Sequence, residues 1–296
     1  MLTGVLAGLG AGALWGLVFV MPRMVEGFAA VDLAAGRFAA YGMLAALIML
    51  LSLRSRRWPT WRQAGAALGL SVLGFSGYYL LLVLAIHDAG TQVPTLIIGT
   101  IPLWVMFLGK PAALRWRSLV PGLVLTAAGL VLMMAAVQAG ITAEGGNFAR
   151  GVALATVAMF SWTAFTLLNS AWLKRHPEVN ATDWANWLGI ATGVGALVMW
   201  LTAGSDVQTL AAQDDRSLFL WLCIGTGFGS AWLATIWWNV ASQRLSASLC
   251  GQLIVSETIF ALLYSFAWDG QWPSLAQSAA CVLFTLGILV SIKAHA

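Results

Sequence analysis

The chain has 296 residues, is 60% hydrophobic and carries charge at only 9% of its positions, with a mean hydropathy of +0.85. A soluble domain is about 25% charged, so this composition excludes a surface covered by water and describes an integral membrane protein. The basic excess, net +4 with a pI near 9.3, sits in short connectors between apolar runs, which points to membrane orientation and away from nucleic acid.

Apolar runs of membrane-spanning length fall at 3–22, 32–53, 61–85, 92–109, 118–138, 149–171, 184–202, 217–240, 247–266 and 272–292. The first, GVLAGLGAGALWGLVFVMP, holds no charge and places Gly4, Gly8, Gly12 and Gly16 four residues apart. That step keeps them near one helical face, where a second helix can approach closely. Trp15, one position round from the last glycine, is expected to point elsewhere, towards a cavity. No Lys or Arg precedes this run, so it is expected to remain as a helix and not to act as a cleaved signal peptide.

Connectors are short, the longest near 139–148 and 203–216, and ten crossings put both termini on one side. On that side lie Arg54, Arg56, Arg57, Arg62, Lys110, Arg115, Arg117, Lys174, Arg175, Arg244 and Lys293; on the other lie only Arg23, Arg150 and Arg216. The positive-inside rule therefore predicts cytoplasmic termini. Laying 85–121 over 241–277, an offset of 156, matches Ala85 to Ala241, Pro102 to Thr258, Trp116 to Trp272 and Ser118 to Ser274, and a separate match pairs Trp15 with Trp162. Two five-helix repeats, 1–140 and 141–296, are expected. Five is odd, so the second repeat is inverted, a construction many transporters use, with the site at mid-depth between the halves.

Arg37 and Glu257 lie inside apolar runs. A charge there costs at least about 2.5–3.5 kcal/mol and needs a partner, water or a function. Each either faces a cavity and binds one end of a zwitterion, or snorkels or caps as structure; Glu257 could also carry a proton. Asn239, Tyr78 and Tyr79 are polar groups within spans that either line a cavity or bond between helices. Pro94 and Pro102 each remove a backbone donor from the fourth run, suiting a gate or a bent structural helix. Gly74-Phe75-Ser76-Gly77 matches the GxSG of intramembrane serine proteases, but no His stands on another helix at that depth to activate the serine, so small-residue packing is expected. Cys223, Cys250 and Cys281 are scattered within apolar runs and read as buried apolar residues. No metal site, cofactor or ATP-binding loop is expected.

The segments LVLAIHDAGTQVPTLIIGTIPLWVMFLG and WWNVASQRLSASLCGQLIVSETIFALLYSF, with the Trp-bearing first and sixth helices, resemble the drug/metabolite transporter superfamily of EamA type. Within it the likeness is greatest to aromatic amino acid exporters of the YddG type, on Tyr78, Trp162 and Trp238-Asn239-Val240. Thr258 stands where the family usually has proline, Lys110 where an acidic residue often closes the fourth helix, and Glu257 is not a family hallmark. The resemblance implies an all-α integral membrane protein with ten transmembrane helices in two inverted five-helix repeats. It implies no enzyme but an inner-membrane exporter of aromatic and other neutral amino acids, working by alternating access, with drugs or other small metabolites as the alternative cargo. The expected site comprises Trp15, Tyr78, Tyr79, Trp162, Trp238, Asn239 and Glu257, gated at Pro94 and Pro102. Its partners are a small-molecule substrate and the lipid bilayer, in a monomer or weak homo-oligomer.

Overall fold

Ten apolar helices form the body of the chain in the computed structural model, which describes every residue except 26, 52–57, 91, 138–146, 271 and 296. They are α1 Leu2–Phe19, α2 Ala30–Leu51, α3 Trp61–Ala89, α4 Val93–Leu108, α5 Trp116–Ala135, α6 Phe148–Arg175, α7 Ala181–Ala203, α8 Arg216–Arg244, α9 Ala247–Trp268 and α10 Leu275–His295. Only α4 is shorter than a full crossing. Among the described residues there is no strand. In lipid each backbone donor must find its acceptor within the segment, which is why runs this rich in glycine and β-branched residues are helical at all.

The helix contacts fall into matched sets. α2 packs on α7, α4 on α9 and α5 on α10, each helix against its own counterpart. The remaining large contacts come in exchanged pairs: α1 lies on α8 as α6 lies on α3, and α1 on α9 as α6 on α4. Where α2 crosses α7, Gly42 meets Gly193, and a Cβ on Gly42 would come 2.6 Å from the Gly193 Cα. The expected boundary between the repeats at 140/141 lies outside the described residues.

The glycine stripe of α1 packs against α9. A Cβ on Gly8 would reach 2.6 Å from Leu253 Cδ1, one on Gly12 would overlap the Ser256 hydroxyl and come 3.0 Å from the Glu257 nitrogen, and one on Gly16 would come 2.9 Å from the Ala261 nitrogen. Gly4 lies against Arg244 and Leu245, just ahead of α9. The missing side chains let the two backbones approach closely, so dispersion does the work that hydrophobic burial does in water.

Among the described residues, α3, α4 and α8 are interrupted within their length. α3 breaks at Phe75, whose φ of −129° and ψ of −91° leave the helical region. α8, its counterpart, widens into a π-helical turn over Gly227–Leu233. α4 breaks at Thr100, ahead of Pro102, while α9 runs unbroken through Thr258 at the related position. Proline explains that asymmetry, because its ring and missing N–H stop the helix where threonine permits it. Serines meet carbonyls near these breaks: Ser161 Oγ on α6 donates to the Leu73 carbonyl on α3 at 2.8 Å, and Ser230 Oγ on α8 donates to the Leu14 carbonyl on α1 at 2.6 Å.

Candidate functional site

Three tryptophans meet where α1, α6 and α8 converge. Trp15 stands edge-on to Trp162 with ring centroids 6.2 Å apart, and Trp238 lies 5.2 Å from Trp15 and 6.2 Å from Trp162. The stripe aims the first of them: with Gly12 and Gly16 held on α9, Trp15 turns to the interior. Trp15 and Trp162 keep part of their surface accessible, whereas Trp238 is 1% exposed and forms the base of the cluster.

A run of ring contacts continues from this cluster through the buried core to the half-buried Tyr79 and Tyr78. Trp162 touches Phe165, Phe165 packs edge-on to Phe75, Phe75 to Phe38, Phe38 to Tyr79, and Tyr79 to Tyr78. Gly74 makes this possible, since the Phe165 ring fills the space that a side chain there would need. The GxSG stretch therefore works as a packing notch. Ser76 lies against Gly195 of α7, and His87, near the end of α3, contacts Asp88, to which Arg150 Nε pairs at 3.3 Å.

Two charges border the aromatic surface. Arg37 of α2 is 8% exposed and its guanidinium carbon lies 4.6 Å from the Phe38 ring centroid and 5.6 Å from that of Tyr79. Such ring faces attract a cation. Glu257 of α9 is half-buried beside α1.

The two halves of α4 pack on different neighbours. Its second half, Ile101–Leu108, packs on α9, and its first, Gln92–Gly99, packs on α6 and α3. At the face carrying the termini, α4 and α9 are tied by a backbone bond from Ser248 N to Gly109 O at 3.1 Å, and Lys174 Nζ donates to Leu245 O at 2.6 Å. Pro102 sits at the break of α4 and Pro94 in its first half.

Asn239 lies behind the tryptophans. It is fully buried, its Oδ1 accepting from Asn169 Nδ2 at 3.1 Å and its Nδ2 donating to Ala181 O at 3.3 Å; Asn169 in turn accepts from Trp184 Nε1 at 2.7 Å. This network joins α6, α7 and α8. Separately, a cleft of about 360 Å³ at the termini face is lined by Trp58, Gln63, Glu178, Asp183 and Trp187 and contains none of the expected site residues.

Comparison with known proteins agrees with this architecture. Residues 2–135 match the EamA-like transporter family. The inner membrane protein YtfF of Escherichia coli (strain K12) is 31% identical over 99% of this chain and 96% of its own length. The chain belongs to the EamA-like transporter family. A solved structure described only as "Crystal structure of protein" shares the fold, with a TM-score of 0.78 at 19% identity over 99% of this chain and 98% of its own.

In this EamA-like chain the structure gathers Trp15, Trp162 and Trp238 into one cluster, joins Tyr78 and Tyr79 to it through phenylalanines, and packs the backbone at Glu257 against Gly12 of α1. Phe38, Phe75 and Phe165 were missed by sequence reasoning. Only Phe75 carried a local signal, its place between Gly74 and Ser76. Among the described residues no group of three or more His, Cys, Asp or Glu converges as a metal site.

Proposed function

We propose that this EamA-like protein is an inner-membrane carrier that exports aromatic and other neutral amino acids, with both termini in the cytoplasm. The observation that carries the reading is the run of ring contacts contributed by α1, α2, α3, α6 and α8, which leaves Trp15, Trp162, Tyr78 and Tyr79 partly accessible. Stacking on Trp15, Trp162, Tyr78 and Tyr79 holds the side chain of the cargo. Glu257 meets a polar end, and Asn239 holds the helix that carries Trp238. The inner-membrane location is supported by the name of the E. coli relative and the orientation by the basic connectors. The protein acts as a monomer or weak homo-oligomer and catalyses no covalent step.

Transport proceeds by alternating access, with the inverted halves rocking about the tryptophan cluster. The break at Thr100 lets the first half of α4, with Pro94, move while the half after Pro102 stays on α9. Export of apolar drugs is the second reading, favoured by the predominance of rings over polar groups. Counterflow in proteoliposomes separates the two. The amino acid reading requires exchange of labelled phenylalanine, and of threonine more weakly, with a purine excluded. Flux of an uncharged aromatic drug without any amino acid would replace it.

A further inference from the structure

We propose that Ser161 and Ser230 are positioning residues of the tryptophan cluster. Each fastens a backbone carbonyl of a neighbouring helix beside a tryptophan, and the two bonds together set the angle at which Trp15 and Trp162 meet the cargo. This rests on the reading above that the cargo is held at that cluster.

Ser161, which donates to the Leu73 carbonyl at 2.8 Å, is followed directly by Trp162. Leu14, whose carbonyl accepts from Ser230 at 2.6 Å, is followed directly by Trp15. Both acceptors belong to the last turn of an α-helical stretch. Leu2–Gly16 passes into a 3-10 turn at Leu17, and Trp61–Gly74 ends at the irregular Phe75. Carbonyls of a last turn lack their usual donor, and in the bilayer water does not replace it. The serines supply one from a different helix. Other hydroxyls of α6 do not: Thr156, Thr163 and Thr166 donate back to carbonyls of their own helix at 2.8, 2.8 and 3.1 Å. The sequence match that pairs Trp15 with Trp162 also pairs Leu14 with Ser161, and the offset of 156 pairs Gly74, next to Leu73, with Ser230. By that match the same two places are joined twice, with donor and acceptor exchanged.

Successive residues stand about 100° apart round a helix, so a bond that fixes one residue fixes the direction of the next. Each bond is backed by a steric contact close by. On α6 the Phe165 ring, one turn beyond Ser161, fills the space of a side chain at Gly74, and on α1 Gly16, just beyond Leu14, lies against Phe260 and Ala261. Both helices are thereby held against rotation at the level of their tryptophans, whose ring planes meet at 78°. Loss of either hydroxyl frees its helix to turn about its own axis, and the ring turns with it.

The test compares Ser161→Ala, Ser161→Thr and Ser230→Ala with Ser71→Ala, which removes a buried hydroxyl bond between α3 and α7, Ser71 to Thr192 at 2.8 Å, that involves no tryptophan. In phenylalanine counterflow, Ser161→Ala and Ser230→Ala are expected to raise KM by about three- to tenfold at constant kcat, the span of interhelical hydrogen bonds expressed as an equilibrium constant. Ser161→Thr, which keeps the hydroxyl, is expected to restore KM. Ser71→Ala is expected to lower the melting temperature and leave KM unchanged. A second readout needs no substrate: the circular dichroism that Trp15 contributes, taken as the difference between each protein and its Trp15→Phe derivative, is expected to shrink in Ser161→Ala and Ser230→Ala and to persist in Ser71→Ala. An unchanged Trp15 signal in either serine variant would overturn the proposal, and so would an unchanged KM in a carrier active on phenylalanine. A wild-type carrier that moves no phenylalanine removes the amino acid reading, and the Trp15 signal then decides this one by itself.

Discussion

Trp15 of α1 and Trp162 of α6 meet edge to face with centroids 6.2 Å apart and ring planes at 78°. Trp238 of α8 closes the triangle. Such pairs are worth about 0.5–1.5 kcal/mol beyond the area they bury. Trp15→Ala or Trp162→Ala is expected to lower phenylalanine counterflow by about tenfold, the equivalent of roughly 1.4 kcal/mol. Trp15→Phe is expected to retain most of it, and initial rates at matched protein density check both.

The glycine stripe predicts a contrast in stability. Gly12→Leu forces a side chain into Ser256 and Glu257 and is expected to cost about 1–3 kcal/mol, the range for overpacking. Gly65→Ala on α3 meets nothing within 4 Å and is expected to be neutral or to stabilise by up to about 1 kcal/mol through helix propensity. Thermal unfolding of the detergent-solubilised protein reads both.

Asn239→Ala removes the acceptor of the Asn169 amide and a donor to Ala181. Polar contacts between membrane helices average about 0.6 kcal/mol and reach about 1.7. The variant is expected to melt at a lower temperature with the KM for phenylalanine unchanged. A raised KM at unchanged stability would place Asn239 against the substrate.

Most of the fold was legible because each crossing is an apolar run and each turn of the chain is marked by charge. The direction of the α1 glycines was legible because a missing side chain every fourth residue can serve only one face. The break in α3 was not, since Phe75 carries no proline to announce it. The π turn of α8 was hidden too, since Gly227 and Gly229 signal flexibility without saying which carbonyls are freed. Asn239 shows the same limit at the site. Helical spacing places it on a face with Thr235 and Trp232, but only the neighbouring helices decide that its amide meets Asn169 and not a cavity.

Outside the membrane, Asp206 caps the short helix Val207–Ala212, its carboxylate accepting from Thr209 N at 2.7 Å. That bond holds the carboxyl below its ordinary value. A depressed folded-state pKa contributes stability above the unfolded value, about 3.9, and loses it as pH falls through the lower folded value. Amide exchange at Thr209 is expected to accelerate below about pH 4 beyond its intrinsic rate, and in Asp206→Ala to be fast at every pH.

Pro102→Ala restores a backbone donor at the break of α4. If that break is the hinge, turnover falls while KM stays constant, because the substrate contacts are untouched and only the conformational step slows. An unchanged turnover would make the bend structural.

The central claim is that an amino acid is carried on a surface built by both halves around Trp15 and Trp162. Counterflow of labelled phenylalanine by purified protein in proteoliposomes, wild type beside the Trp15→Ala, Trp162→Ala double variant, tests it most directly. The account predicts saturable exchange by the wild type and its loss in the double variant, whose melting temperature shows that it remains folded. Absence of exchange in the wild type, or undiminished exchange in the folded double variant, would contradict it.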